Sequence, residues 1–360
     1  MPASNVVLMD LARRAGKPVI FWGPPGVGKT SALLAYAAAA KLYMAVVIAS
    51  VREPADFAGL PVIKHDPTTN VWLAPPGWAT ELCEAGGGIL FLDEISTAPP
   101  ATQAALLRVV LDRVVGDVKL PDTVWIVGAA NRAEDNCGTW DLSAALANRF
   151  THIDWVLDSA DWCDGMLTRF GAGFTDEVQA AVYAQVVSFI RVRGSLLHKM
   201  PEAASETGRA WASPRSWHSA ADLLTVCLQQ GYDRQSTEVA ALMVGTIGAG
   251  CAGEFLGWLR DQDLPDPESW LANPEHCALP VRDDRLLSAL DSLATAALRE
   301  HTDRKARYHA AWKVILRVYD KRQDAVVPAS KALVRGAPAG LVPPRELATL
   351  KPLIDAARIK

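Results

Sequence analysis

Short apolar runs alternate with stretches of helical spacing over the first part of the chain. Residues 18–22, 44–50, 88–92 and 124–130 are runs dominated by Val, Ile, Leu, Phe and Ala. Between them, 30–41 is an Ala/Leu-rich helical stretch, and 100–112 sets Ala104, Leu107 and Leu111 at i, i+3 and i+7, one face of a helix. Strands apolar on both faces and separated by helices predict an α/β fold, a parallel sheet sandwiched between helix layers.

Two segments break this rhythm. Residues 60–63 and 71–73 flank His-Asp-Pro-Thr-Thr-Asn, which predicts a small hairpin or long loop after the second strand. A shorter excursion, 114–121, precedes the fourth strand. From about Asp158 the β signal fades and helices are predicted at 176–192, 214–229, 283–300 and 304–319. Ser213 is a natural N-cap for the second of these, with Pro214 at its first position.

Composition narrows the class. The 360 residues suffice for two or three domains. Half are hydrophobic, 21% are charged and the net charge is −4, an ordinary globular balance. It gives no global reason to expect nucleic acid or an anionic membrane as partner. The six cysteines, Cys83, Cys137, Cys163, Cys227, Cys251 and Cys277, form no C-x-x-C pair, which argues against a zinc site or disulfide framework. The opening residues lack the basic flank and apolar run of a signal peptide. The most apolar stretch, about 239–252, is Gly-broken and shorter than a bilayer span. A cytoplasmic protein without a membrane span is expected. From Asp283 onward, 15 Lys and Arg face 9 Asp and Glu, so the end is mildly basic.

The candidate chemistry begins at Gly23-Pro24-Pro25-Gly26-Val27-Gly28-Lys29-Thr30, followed by Ser31, which fits G-x-x-x-x-G-K-[ST] directly after a predicted strand and before a predicted helix. Glycines let backbone N–H groups turn inward around phosphate oxygens, and the helix N-terminus adds its positive end. Lys29 is expected to reach the outer phosphates of ATP and Thr30 to ligate Mg²⁺. Further on, an apolar strand ends in Asp93-Glu94. In an open α/β sheet ligands bind at the carboxyl ends of strands, which brings both acids beside the loop. Asp93 is expected to hold Mg²⁺ through water, and Glu94 to polarise the attacking water.

Together these motifs resemble an AAA+ ATPase, and within that group a MoxR-like one, over about Lys17 to Leu224. The stretch Leu92-Asp-Glu-Ile-Ser-Thr-Ala-Pro-Pro-Ala-Thr-Gln-Ala-Ala-Leu-Leu107 is similar to the family's segment after the metal-binding acid, and Glu53-Pro-Ala-Asp-Phe-Ala-Gly-Leu60 with its hairpin to the insertion such proteins carry in the second helix of the ATPase core. The resemblance implies that Asn131 is the sensor 1 residue, Arg149 in Leu146-Ala-Asn-Arg-Phe150 the arginine finger, with Arg132 as its competitor, and Arg215 the sensor 2 residue. Each has a plainer reading, a turn Asn or an ion-paired Arg. It further implies an ATPase core over 1–157 with a hairpin insertion near 53–75 and a helical lid over 158–262; the tail from about Gln262 departs from the family pattern, and the helical region 263–360 is expected to dock partners for that reason.

The implied function is ATP hydrolysis in a homo-hexameric ring that remodels a protein client, in the family manner with a von Willebrand factor A-domain protein. His65, Asn70 and Trp72 on the hairpin are the expected client contacts. With the loop only 22 residues into the chain, little room for a substrate-selecting domain is expected ahead of it. A nucleic-acid motor and an ATP-bound assembly scaffold are the alternatives; the net negative charge disfavours the first, and Glu94, Asn131 and Arg149 the second.

Overall fold

The computed structural model describes residues 5–66, 69–132, 141–174, 176–201, 208–261, 265–299 and 301–337, with the side chains of 64–66 and 69–70 left aside. The hairpin contacts expected at His65 and Asn70 lie outside the described side chains. The chain divides into two compact units, Met1–Val156 and Leu157–Lys360.

Among the described residues of the first unit nine strands form: β1 Val19–Trp22, β2 Met44–Ile48, β3 Leu60–Asp66, β4 Thr69–Ala74, β5 Gly88–Asp93, β6 Val114–Val115, β7 Val118–Lys119, β8 Val124–Ala130 and β9 Thr151–Asp154. Five of them make a parallel sheet in the order β2-β5-β8-β1-β9. The central strands are buried on both faces, as their uninterrupted apolar runs require. Alternate residues feed two cores. Ile20, Leu90, Leu92 and Ile126 pack on helices Gly77–Glu84 and Pro100–Asp112. Phe21, Ile89, Phe91 and Val127 pack on helices Asn5–Arg14 and Lys29–Ala39. The expected parallel sheet between helix layers is therefore present, with β9 as a fifth strand that the apolar runs did not mark.

The expected insertion is a hairpin, β3 antiparallel to β4. It docks on the turn between β6 and β7: Leu73 N–H donates to Asp117 Oδ2 (2.7 Å), and Asp117 N–H donates back to Leu73 O (3.0 Å). The approach is close enough that a Cβ on Gly59, at φ +88°, would lie 2.6 Å from Gly116 Cα. Two glycines are needed where these turns cross.

The second unit is helical, with one hydrophobic core running from Trp162 to Leu333. Its centre is helix Glu177–Val192 against helix Asp283–Leu298; ten and twelve of their sixteen residues are buried, so both are walled in on nearly every side. These two helices come from the separately expected segments 158–262 and 263–360, and they share this core. Helix Pro214–Gln229 starts on a capping box in which Ser213 and Ser216 exchange bonds. No helix among the described residues is long and apolar enough to cross a membrane.

Candidate active site

The first unit gathers its chemistry at the carboxyl ends of the parallel strands. Gly23 follows β1, and its N–H donates to Ala130 O at the tip of β8 (3.2 Å). A Cβ at Gly23 would stand 3.0 Å from Trp155 Cβ, so the loop's entry fits glycine closely. Gly26 (φ +78°) and Gly28 (φ +90°) hold the left-handed conformations that curl the loop. Gly28 is the N-cap of helix Lys29–Ala39 and offers no side chain to its first turn, whose leading N–H groups point toward the loop.

Lys29 folds back over that loop. Its Nζ donates to Gly23 O (2.5 Å), Pro24 O (3.1 Å) and Asn131 Oδ1 (3.0 Å), so the ammonium joins the phosphate loop to the end of β8. Thr30 Oγ1 donates to Asp93 Oδ2 (2.8 Å), joining the same helix to the end of β5. A hydroxyl and a carboxylate oxygen from different elements thus face each other one residue beyond the lysine.

Glu94 turns the chain away from β5. Its φ of +55° is left-handed, a conformation that costs a non-glycine residue about 1–2 kcal/mol. The turn is held by Glu94 N–H on Asp93 Oδ1 (3.0 Å) and Thr97 Oγ1 on Glu94 O (2.8 Å). It presents the carboxylate to Ser50, whose Oγ donates to Glu94 Oε2 (2.7 Å) just past β2. Asn131 is placed by Ser96, which accepts from Asn131 N–H (3.1 Å) and donates to Asn131 O (3.3 Å). Lys29, Thr30, Asp93, Glu94 and Asn131 are therefore brought together. Ser50 and Ser96 join them without having been expected; no local pattern marks a side-chain bond across 44 or 35 residues.

Of the expected arginines in this unit, Arg149 lies apart from this cluster. Arg149 precedes β9, at the amino end of the parallel strands, while the phosphate loop follows the carboxyl end of β1. It is exposed, and its Nη1 donates to Ala145 O (3.4 Å). Arg132 Nη2 donates to Asp154 Oδ1 (2.7 Å), so that guanidinium is engaged at the end of β9. On the same strand His152 Nδ1 accepts from Trp22 Nε1 (2.8 Å), and its Nε2 lies 2.9 Å from Ala147 O. Because the indole N–H only donates, Nδ1 is the acceptor here and Nε2 is the atom that faces the Ala147 carbonyl. Arg215 belongs to the second unit, exposed in the first turn of helix Pro214–Gln229.

Residues 18–150 match the family model described as AAA domain (dynein-related subfamily). No curated protein matches the chain. Among solved structures, the chain is similar to NtrX from Brucella abortus in complex with ATP, at 15% identity and a TM-score of 0.40, covering 97% of this chain and 69% of that one. It is also similar to a point mutant of RuvB from Thermotoga maritima, at 16% identity and a TM-score of 0.37, covering 83% of this chain and 88% of that one. The family match spans the phosphate loop, both strand-end acids and Asn131, on the sheet order described above, and residues 18–150 are accordingly the AAA+ domain of an ATPase.

Proposed function

We propose that this protein is a MoxR-like AAA+ ATPase of the cytoplasm, acting as a homo-hexameric ring that couples Mg·ATP hydrolysis to remodelling or activating a partner protein. A von Willebrand factor A-domain protein is the partner class that the resemblance favours. The observation that carries the reading is the pair of bonds from one helix start, Lys29 to Asn131 and Thr30 to Asp93, with Glu94 next in line.

The residues fit Mg·ATP. The lysine ammonium rests on carbonyl oxygens of the loop, where an anion can replace them. Mg²⁺ habitually takes one or two protein oxygens and fills its remaining positions with water and phosphate oxygens, which suits the Thr30 hydroxyl and the Asp93 carboxylate. Bound Mg·ATP supplies the phosphoanhydride and the charge neutralisation that its cleavage requires. Gly23, Pro24, Pro25, Gly26, Val27, Gly28 and Ser31 form the cradle with Lys29 and Thr30. Glu94, released from Ser50, orients and deprotonates the attacking water, and Asn131 positions that water from the other side.

Arg149 supports the ring. At about 3.3 Å per residue, the four residues of β9 separate it by roughly 13 Å from the level of its own loop, more than an arginine side chain spans. An arginine finger there serves a neighbouring copy, which puts the sites at interfaces between copies, as a closed ring does. Arg215 acts as the sensor of nucleotide state from the helical unit, and the hairpin β3–β4 meets the client. Its described exposed side chains are apolar, Leu60, Val62, Ile63 and Val71, with Trp72 half-buried.

Mixing tests the interfacial site. Arg149→Ala and Lys29→Ala should each abolish turnover, Arg149→Ala with nucleotide binding retained. An equimolar mixture should recover phosphate release, because an intact loop from one meets an intact finger from the other. Parental turnover by Arg149→Ala, or no recovery on mixing subunits that co-assemble, would overturn this assignment.

A further inference from the structure

The second unit holds a cavity of about 700 Å³, within the range of small-molecule sites. Helices Glu177–Val192, Ala249–Arg260 and Asp283–Leu298 line it together with the loop residues 232–235. The floor is apolar, made of Val178, Ala181, Leu228, Leu256, Leu259 and Ala296. Most of the charges around it are committed, Arg260 only through a loose, exposed pair. Arg299 pairs with Glu177 and stands 3.8 Å from Glu268, which Arg307 grips with both terminal nitrogens (2.5 and 2.6 Å). Asp233 Oδ1 accepts from Gln235 N–H (2.7 Å), Asp266 Oδ1 accepts from Glu268 N–H (3.0 Å), and Arg260 lies 3.8 Å from Asp261. Arg234 remains: a half-buried guanidinium lining the cavity with no hydrogen bond or ion pair among the described residues.

We propose that this cavity is a second ligand site, distinct from the nucleotide loop, for an amphipathic anion whose apolar body lies on the Val178–Leu256 floor and whose carboxylate is received by Arg234. A guanidinium presents a planar fork of donors that matches a carboxylate with two parallel bonds, and at a partly desolvated position that match is favoured over hydration. Burial lowers the pKa of Arg234, with the neighbouring Asp233 acting the other way. The committed acids do not stand in its place, since Asp233 and Asp266 are turned to backbone N–H groups and Glu177 and Glu268 to arginines.

Calorimetric titration of the full chain with sodium decanoate tests the site. One equivalent is expected to bind, and decyltrimethylammonium, with the same tail and the opposite charge, is not expected to compete. Arg234→Gln should weaken decanoate at least tenfold, and Ala181→Phe, which fills the floor, should do the same. Both variants are expected to melt like the parent and hydrolyse ATP at the parental rate. No decanoate binding, equal binding of the cationic analogue, or parental affinity in Arg234→Gln would overturn the proposal. Should Ala181→Phe fail to fold, Arg234→Gln decides alone.

Discussion

The strongest energetic prediction concerns a buried ion cluster in the helical unit. Arg191 pairs with Asp291 and, through Nη2, with Asp164 at 3.1 Å. Asp291 is 1% exposed and Asp164 5%, and they are carried by different helices. Ser188 Oγ donates to Asp291 (3.3 Å), and Arg335 Nη1 to Asp164 (2.9 Å). In Arg191→Met, Asp164 keeps Arg335 but Asp291 keeps only a hydroxyl. A buried charge stripped of its partner costs about 3–5 kcal/mol. For a unit of this size that corresponds to a fall in Tm of roughly 6–20 °C. Thermal unfolding followed by circular dichroism reads it directly. The double variant Arg191→Met/Asp291→Leu should regain more than half of the loss, because it removes the orphaned carboxylate. A fall below about 2 °C in the single variant would refute the reasoning, as would a double variant no more stable than the single.

Other consequences are local. Gly59→Ala should destabilise the first unit by about 1–3 kcal/mol, from a left-handed φ of +88° and a Cβ set against Gly116, and chemical denaturation would read it as a lower midpoint at unchanged slope; a neutral result would remove the tight crossing of the two hairpins. Burial pushes the Cys163 thiol from its ordinary 9.0 up to about 12, so its contribution to stability is complete below pH 9 and lost as pH rises toward 12. Native protein at pH 8.5 should therefore leave Cys163 unalkylated by iodoacetamide over the time that denatured protein reacts fully; rapid native labelling would contradict its packing.

The parts legible in the sequence are those whose signal is local. Gly88–Asp93 and Val124–Ala130 read as strands because they are buried on both faces, and the phosphate loop because its spacing is dictated by a ligand. Thr151–Asp154 is not legible as an edge strand: only Ile153 is half-buried, and Thr, His and Asp carry no apolar run. The apolar stretch around 239–252 conceals two helices, Thr237–Ile247 and Ala249–Arg260, parted at Gly248, whose φ of +81° ends the first. Helix Asp283–Leu298 reads as part of a basic tail because its neighbours are charged, yet it is the most enclosed helix of the unit. Ser50 on Glu94 and Ser96 on Asn131 could not be read at all, since tertiary folding alone brings them together.

The central claim is that the turn ending at Lys29 binds Mg·ATP and that Glu94 acts only afterwards, on water. Titrating Mg·ATP calorimetrically into the parent, Lys29→Ala and Glu94→Gln proteins, with phosphate release measured on the same samples, separates these steps. The account predicts binding by the parent and by Glu94→Gln, turnover reduced about 10²–10⁴-fold in Glu94→Gln, and much weaker binding by Lys29→Ala. Folded parent protein that takes up no Mg·ATP, or Glu94→Gln protein that turns over at the parental rate, would contradict it.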